Sequence, residues 1–400
     1  MKILAIETSC DETAVSILDA HGDFQGAQFL ILGNALLSQI DTHKEYGGVF
    51  PMLAKREHSR NLIPLLEHAL REAGMLRERE AEALPQDIDT MLEREPELLA
   101  QFKAFIPTIA APDIDAIAVT HGPGLEPALW VGINFAKALS RVWQKPIIPV
   151  NHMEGHILAG LLSSPGSPVP EIYSSVLQNT RIDTLELRGV SLPVVTLLIS
   201  GGHTDLVLMK ELFQYEYLGR TRDDAVGEAF DKVARLLSLP YPGGPEIERL
   251  AQKARSSKLK APFKLPRPML HSDDYDFSFS GLKTAVLYLL KDIGEPTQEQ
   301  KEQIAREFED AVTEALITKV KHALENTGAK TLVIGGGVSA NAHLREQFEK
   351  LVEIFPGLSI RVPPRELTTD NALMIAVAGY FRAHEKKDPE LIRAEGNLSL

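Results

Sequence analysis

The chain repeats one plan in its two halves, and this repeat constrains the fold more than any other feature. Residues 2–6 form a short apolar run, residues 7–13 a polar turn and residues 14–18 a second apolar run. The second half opens alike, since the apolar run 194–199 is followed by the polar turn 200–204 and another apolar run. Short apolar runs bounded by small polar residues predict buried strands. We therefore predict two α/β halves, each beginning with a strand–turn–strand hairpin.

Both halves continue with helices that alternate with strands. The segment 51–73 repeats its leucines with helical spacing, and the glycine turn 335–337 separates a strand from a helix. Duplicated βββαβα units are typical of actin-like folds, in which the active-site cleft lies between two lobes. We predict such lobes, with two insertions in the first: lobes 1–192 and 193–400, insertions at about 76–112 and 163–192.

Charge and composition limit the class of protein. The chain has a formal net charge of −13 and one cysteine, Cys10, which excludes an internal disulfide and suits a reducing cytoplasm. We expect no membrane span and no signal peptide, because no apolar run is long enough and Glu7 interrupts the first one. The insertion at 76–112 alternates charges, so we expect a solvated segment without catalytic residues.

The acidic balance argues against non-specific nucleic-acid binding by the whole surface, but it leaves room for a local basic patch. Six basic residues occur without an intervening acid, and they are Lys253, Arg255, Lys258, Lys260, Lys264 and Arg267. This stretch is either an RNA contact or an ordinary solvated face.

The stretch from His152 to His156 is the strongest chemical signal in the first half. On a helix these two histidines lie one turn apart on the same face, the spacing with which two imidazoles bind one metal ion. The apolar run 147–150 directly before them predicts a buried strand. The pair is therefore expected where a strand ends and a helix begins, a common place for sites in α/β proteins.

Nine short strings, occurring in order, resemble those of the TsaD family, the tRNA threonylcarbamoyladenosine synthases formerly described as glycoproteases or O-sialoglycoprotein endopeptidases. The strings are ETSCDET (7–13), GPGL (122–125), NHMEGH (151–156), SGGHT (200–204), GEAFDK (227–232), YPGGP (241–245), FSFSGLKTA (277–285), GGVSAN (336–341) and TDNA (369–372). The resemblance covers nearly the whole chain apart from the two insertions. It implies two actin-like (ASKHA) lobes, in agreement with the internal repeat.

The resemblance also implies the site residues. His152, His156 and Asp370 would be the ligands of one divalent metal ion, with Fe²⁺ expected ahead of Zn²⁺ although such ligands suit both. The implied substrate-binding residues are Ile199, Ser200, Gly201, Gly202, His203, Asp231, Gly244, Glu248 and Asn341. Glu248 stands where many members of the family carry Asp, so its role is the least secure of the set.

The implied activity is transfer of the threonylcarbamoyl group from threonylcarbamoyl-AMP to N6 of the adenosine adjacent to the anticodon, in tRNAs that read ANN codons. The metal would hold phosphate and carbamoyl oxygens, and AMP would leave. Asp11 or Glu12 would orient the carbamoyl group or accept a proton, and the sequence does not say which.

Two other classes of protein remain open at this point. A zinc metallopeptidase would use the two histidines and Glu154, although the H-E-x-x-H motif places its Glu directly after the first His. An actin-like kinase or ATPase would use the glycine turns but would leave the histidine pair without a role.

The expected partners are tRNA, a TsaB-like paralogue and a TsaE-like ATPase, with a separate enzyme that supplies threonylcarbamoyl-AMP. The resemblance implies that the helix at 51–73 and the helix after the GPGL turn pack against the paralogue. The leucine stripe at 51–73 either forms that interface or packs inside its own lobe.

Overall fold

The computed structural model describes residues 1–44, 46–165, 183–259, 262–364 and 367–400. These residues form two compact α/β units. The first unit consists of the described residues up to 189 together with residues 369–400. The second consists of the described residues from 190 to 368. None of the helices in the described part of the chain combines the length and apolar character needed to cross a membrane.

The first unit is built on a mixed sheet which, within the described residues, has seven strands in the order β5-β4-β1-β2-β3-β7-β6. The strands are β1 (Lys2–Glu7), β2 (Glu12–His21), β3 (Gly26–Ser38), β4 (Ala116–Gly122), β5 (Ile147–Asn151), β6 (Leu162–Ser163) and β7 (Thr184–Arg188). β1 and β2 form the predicted antiparallel hairpin, whereas β1, β4 and β5 run parallel. The predicted insertion 163–192 includes residues 166–182, which lie outside the described residues, but β7 pairs with β3 and belongs to the sheet.

Helices cover the sheet of the first unit. They are α1 (Ile40–Lys44), α2 (Pro51–Glu72), α3 (Ile88–Met91), α4 (Pro96–Phe105), α5 (Glu126–Trp143), α6 (His152–Leu161) and, near the end of the chain, α13 (Ala372–Phe381). Short 3-10 turns lie at Ile106–Thr108, Ala383–Glu385 and Pro389–Leu391. The apolar face of α2 packs against β2 and β3, as its helical spacing predicts.

The leucine stripe of α2 is buried inside its own unit. Leu62, Leu66 and Ala69 have no exposed surface and join the core formed with α4, α5 and the sheet. Of the two possibilities that the sequence left open for this stripe, packing inside its own lobe is the one observed, so the stripe itself does not offer a partner interface.

The insertion at 76–112 is not the solvated segment that its charges predict. Leu98 and Phe102 lie one turn apart on α4 and are fully buried, and the Phe102 ring meets Phe135 of α5 edge to face at 6.2 Å. α4 packs against α2, and α3 packs against α5. The charges occupy the outer faces of these short helices, while the apolar residues extend the core.

The second unit has a mixed sheet of five strands among the described residues, in the order β10-β9-β8-β11-β12. The strands are β8 (Val194–Ile199), β9 (Thr204–Glu211), β10 (Gln214–Arg220), β11 (Thr331–Gly335) and β12 (Ser359–Arg361). The helices are α7 (Val226–Leu236), α8 (Gly243–Ser256), α9 (Ser280–Ile293), α10 (Gln298–Thr327), α11 (Ala342–Glu349) and α12 (Leu351–Ile354), with a 3-10 turn at Gly337–Ala340. Thr297 and Gln300 form a capping box at the start of α10, and Gly328 ends it in the left-handed conformation.

The division into units differs from the predicted lobes at the end of the chain. Residues 369–400 belong to the first unit, although the predicted boundary assigns them to the second lobe. The reason is apolar packing, because every residue from Ala372 to Gly379 is buried and α13 lies against α6, β1 and β2. A helix that is apolar all round needs such a covered position.

Candidate functional site

The two histidines of the HMEGH stretch lie at the start of α6, directly after β5. Asn151 caps this helix, because its side-chain oxygen accepts hydrogen bonds from the backbone N–H of Met153 (2.9 Å) and Glu154 (3.3 Å). His152 and His156 follow one turn apart, with their rings edge to face at 4.7 Å between centroids. Both are almost completely buried. The helix geometry predicted from the sequence therefore places both imidazoles on one face.

Asp370 joins this pair from the loop before α13. Its Oδ1 lies 3.0 Å from His156 Nε2 and 3.3 Å from His152 Nε2, and the three ligand atoms lie within 4.8 Å of one another. Gly155 lets α13, the helix that follows Asp370, pack closely against α6. A Cβ at position 155 would lie 3.2 Å from side-chain atoms of Met374 and Ile375 on α13. Two imidazole nitrogens and one carboxylate oxygen converging in this way suit a divalent transition metal.

Glu7 lies behind His152 and was not among the predicted site residues. Its Oε2 is 3.1 Å from His152 Nδ1 and accepts a hydrogen bond from Thr120 Oγ1 at 2.7 Å. A carboxylate at Nδ1 fixes the ring orientation and leaves Nε2 facing the potential metal position. The sequence carried a signal for this role, because Glu7 is an acid at the end of an otherwise apolar strand. In the structure Glu7 has no exposed surface.

Electrostatic coupling in this cluster is strong. Burial alone would raise the pKa of the Asp370 carboxyl, but the two histidines hold that pKa well below its usual range. Burial alone would lower the pKa of His152, yet Asp370 and Glu7 raise the pKa of this imidazole well above its ordinary value. Against the effect of burial, His152 likewise lowers the pKa of Glu7. Metal binding at His152 requires loss of the imidazole proton, so it competes with protonation.

The acid turn, defined as residues 8–13, comprises the connection between β1 and β2 and the first two residues of β2, in the same unit. Asp11 and Glu12 are both nearly buried, and Ser38 Oγ donates to Glu12 Oε1 at 3.2 Å. Burial, followed by the charges of Asp370 and Asp11, raises the pKa of Glu12 to about 10. Glu12 is therefore neutral at neutral pH, and a neutral carboxyl can donate a hydrogen bond.

Glu154 lies between the two histidines in sequence but belongs to a different interaction. Its carboxylate accepts hydrogen bonds from Arg382 Nη2 at 2.7 Å and Arg382 Nε at 3.0 Å. The general base of a metallopeptidase needs a carboxylate available to the metal-bound water. The engagement of Glu154 by Arg382 argues against that class of enzyme.

The predicted substrate loop of the second unit, Ile199–His203, joins β8 to β9. Ser200 Oγ accepts hydrogen bonds from the backbone N–H of Gly202 (3.3 Å) and His203 (3.1 Å), so these donors are engaged within the turn. Apart from the neighbouring residues in the chain, no atom of the described residues lies within 4 Å of a Cβ placed on Gly201 or Gly202. The loop therefore offers open glycine surface, and its shape is held by Ser200.

Asp231 and Gly244 lie beside each other at the junction of α7 and α8. The Asp231 carboxylate accepts a hydrogen bond from the backbone N–H of Gly243 at 2.7 Å. Burial raises the pKa of Asp231. A Cβ on Gly243 would lie 2.8 Å from Asp231 Cα, whereas the space beside Gly244 is open. One glycine thus permits close packing, and its neighbour leaves room for a ligand.

Asn341 and Glu248 are both hydrogen-bonded to their own unit. Asn341 Oδ1 accepts a hydrogen bond from Leu344 N at 2.9 Å, and its Nδ2 donates to Glu309 Oε1 at 2.6 Å. Glu248 Oε1 accepts from the backbone N–H of Ala342 at 2.9 Å. Glu309 is fully buried and was not predicted from the sequence. These bonds fix the start of α11 relative to α8 and α10.

The basic stretch is only partly available for RNA. Arg255 forms ion pairs with Glu309 and Asp310, and Arg267 pairs with Glu307 at 2.6 Å. These two arginines therefore hold α8 and the following loop against α10, which is neither the RNA contact nor the solvated face that the sequence left open. Lys260 lies outside the described residues. Three exposed lysines remain, and they are Lys253, Lys258 and Lys264.

Comparisons with known proteins agree with the resemblance. The family model "TsaD: tRNA N6-adenosine threonylcarbamoyltransferase" matches residues 30–80, 102–176 and 173–377, and the unmatched stretch between the first two falls within the insertion at 76–112. The protein named tRNA N6-adenosine threonylcarbamoyltransferase from Persephonella marina is 41% identical over 96% of this chain and 91% of its own length. The protein of the same name from Thermomicrobium roseum is 42% identical over 96% of this chain and 92% of its own.

A solved structure supports the fold. The full-length HypF protein in its phosphate- and nucleotide-bound form aligns with 96% of this chain and 55% of its own, with a TM-score of 0.51 and 14% identity. At this identity the likeness concerns the fold alone, which is the actin-like α/β fold predicted from the internal repeat.

Proposed function

The chain belongs to the TsaD family of tRNA N6-adenosine threonylcarbamoyltransferases, and from this premise we propose the reaction in full. The threonylcarbamoyl group passes from threonylcarbamoyl-AMP to N6 of the adenosine adjacent to the anticodon, in tRNAs that read ANN codons, and AMP is released. The observation that best supports this proposal is the cluster of His152, His156 and Asp370 beside the acid turn. The metallopeptidase and the kinase or ATPase are not favoured by the family match.

His152, His156 and Asp370 would hold one divalent cation, Fe²⁺ ahead of Zn²⁺. Their ligand atoms already lie within 4.8 Å of one another, so little rearrangement is needed. When bound, such an ion polarises phosphate and carbonyl oxygens as a Lewis acid. Glu7 orients the His152 ring through Nδ1.

The acid turn supplies the groups that handle hydrogen bonds and protons. In the proposed step the N6 amine attacks the carbamoyl carbon, a C–N bond forms, and the C–O bond to the phosphate breaks. Glu12, whose pKa is about 10, donates a hydrogen bond that orients the carbamoyl group. Asp11 accepts the proton that the amine loses.

The second unit would bind the adenylate. Its predicted contacts are Ile199, Ser200, Gly201, Gly202, His203, Asp231, Gly244, Glu248 and Asn341. The open surface beside Gly201, Gly202 and Gly244 supports this proposal, since glycine permits close approach of a ligand. Asp231 is a suitable acceptor for a ribose hydroxyl, whereas Asn341 and Glu248 contribute by shaping the start of α11.

The proposed partners are those that the family resemblance implies. They are tRNA, a TsaB-like paralogue, a TsaE-like ATPase and the enzyme that supplies threonylcarbamoyl-AMP, and tRNA as substrate makes the cytoplasm the proposed location. The paralogue would have to bind a surface other than the buried stripe of α2. The exposed side chains of Lys253, Lys258 and Lys264 are the proposed RNA contacts from the basic stretch.

The test is a reconstituted reaction with the purified chain, unmodified tRNA and threonylcarbamoyl-AMP, with and without the two partner proteins. Mass spectrometry of the tRNA nucleosides should detect threonylcarbamoyladenosine, in amounts that match the AMP released. We expect little product from the chain alone and turnover when the partners are added. Casein cleavage, or phosphorylation of a sugar in place of tRNA modification, would contradict the proposal.

A further inference from the structure

His58 of α2 lies against the acid turn, which it contacts at Cys10 and Thr13, and its third contact is with Gln39. It has no exposed surface, and burial lowers its pKa to about 4. Its Nε2 lies 3.0 Å from the carbonyl oxygen of Cys10, and its Nδ1 lies 2.8 Å from Thr13 Oγ1 and 3.2 Å from Gln39 Nε2. A neutral buried imidazole therefore spans the acid turn from Cys10 to Thr13.

The partners determine the direction of each hydrogen bond. A carbonyl oxygen only accepts, so Nε2 of His58 must carry the proton that is donated to Cys10. The other nitrogen of a neutral ring is an acceptor, so the Thr13 hydroxyl and the Gln39 amide donate to Nδ1. One tautomer of His58 is thus compatible with all three contacts, with the two donors sharing the single lone pair of Nδ1.

The donors and acceptors of the hydrogen bonds beyond His58, around Gln39 and His43, can be assigned in the same way. His43 Nε2 lies 3.2 Å from Gln39 Oε1, which can only accept, and so His43 Nδ1 is free to accept from the backbone N–H of Phe50 at 3.3 Å. The backbone N–H of Gln39 also donates to the carbonyl oxygen of Asp11 at 2.9 Å. The tip of the acid turn is therefore held by α2 on one side and by the start of α1 on the other.

We infer that His58 is a positioning residue: through its bonds to Cys10, Thr13 and Gln39 it fixes the backbone that carries the Asp11 and Glu12 carboxyls. This inference rests on the proposed function, in which those carboxyls act on the reacting groups. Cys10 immediately precedes Asp11, and Thr13 immediately follows Glu12. Clamping both positions sets where the two carboxyls point without His58 touching substrate.

Four variants test this inference. His58→Leu removes every bond to the turn, whereas His58→Gln keeps one donor and one acceptor. Thr13→Val removes only the hydroxyl that donates to Nδ1, with little change of shape. His68→Leu is the matched control, because His68 is an exposed histidine on the same helix.

In the reconstituted reaction we expect His58→Leu to lower kcat by about 10²-fold, the cost of misplaced catalytic groups, with KM for tRNA unchanged. His58→Gln should recover most of the loss, Thr13→Val should show a smaller loss, and His68→Leu should match the unsubstituted chain. A folded His58→Leu variant with wild-type kcat would overturn the inference, and so would equal losses in the Leu and Gln variants. If His58→Leu does not fold, wild-type kcat in both His58→Gln and Thr13→Val would overturn it, and a loss in Thr13→Val would support it.

Amide hydrogen exchange separates this inference from the proposed function. Peptides that contain residues 8–13 should exchange faster in His58→Leu, or in Thr13→Val if the former does not fold, than in His68→Leu. Unchanged exchange would overturn the positioning role even if the chain modifies tRNA. Faster exchange in a chain that does not modify tRNA would instead overturn the proposed function and leave the clamp in place.

Discussion

Both units open with a hairpin, but the hairpin turn of the first unit carries carboxyl side chains and that of the second unit contains two adjacent glycines. The acid turn of the first unit carries two nearly buried carboxyls and is clamped from outside by His58 and Gln39. The corresponding turn of the second unit, Ile199–His203, is held from within by Ser200 Oγ and exposes two glycines. Buried polar groups of the backbone and side chains need partners within the protein, whereas an exposed glycine turn needs only a local bond to keep its shape.

This contrast extends to the surrounding residues and suggests a division of labour. Around His152 the first unit gathers titratable groups whose pKa values shift strongly, which is typical of reacting groups. Around Gly201 the second unit offers open backbone, which is typical of a surface that receives a ligand. Substitutions in the first unit should therefore reduce metal binding or kcat, and those in the second should raise KM.

The largest effect is expected from His152→Ala. Loss of one of two imidazole ligands should remove the bound metal and lower kcat by more than about 10²-fold, since disturbing even an outer partner of a ligand costs up to about 100-fold. Elemental analysis and the tRNA assay measure the two effects, and circular dichroism checks the fold. His68→Ala is the control on an exposed histidine. Full metal occupancy in a variant with both His152 and His156 replaced by Ala would contradict the assignment of these histidines as metal ligands.

A smaller effect is expected from Glu7→Gln, which keeps the shape of the side chain and removes its charge. The metal affinity should fall by about 10–100-fold, as for other partners of ligating histidines. Competition with a chelator measures this affinity. Glu67→Gln, on the outer part of α2, is the control, because the Glu67 side chain is 40% exposed. Equal affinities in the two variants would show that Glu7 does not support the ligand.

The smallest effect on turnover is expected from Gly201→Val in the second unit. A Cβ at this position meets no atom of the described residues within 4 Å apart from its chain neighbours, so the free energy of unfolding should hardly change. The added side chain would occupy space proposed for the adenylate, and KM for threonylcarbamoyl-AMP should rise by at least about tenfold with kcat nearly kept. Gly26→Val is the matched control, since Gly26 is also open but lies in the first unit. An unchanged KM would place the adenylate elsewhere and break the proposed division of labour.

The sequence alone determined the features that depend on local spacing. Helix geometry places His152 and His156 on one face, and the alternation of apolar runs with small polar turns predicts both hairpins. The resemblance to the TsaD family added Asp370 to the predicted site. No local sequence pattern connects Asp370 with the two histidines, which lie more than two hundred positions earlier. Both hairpins are confirmed and Asp370 lies beside the two histidines, whereas the role of these three residues as metal ligands stays a prediction.

Only the tertiary structure decided which surfaces are covered and which charges are engaged. It buried the stripe of α2, brought Phe102 of the insertion into the core and drew residues 369–400 into the first unit. It also paired Arg255 with Glu309 and placed Glu7 against His152 and His58 against the acid turn. The sequence pattern of an apolar face or a charged residue is the same whether that residue contacts solvent, a partner or another part of its own chain. Its fate depends on contacts between distant residues, because burial is favourable only where the fold supplies a matching surface or an opposite charge.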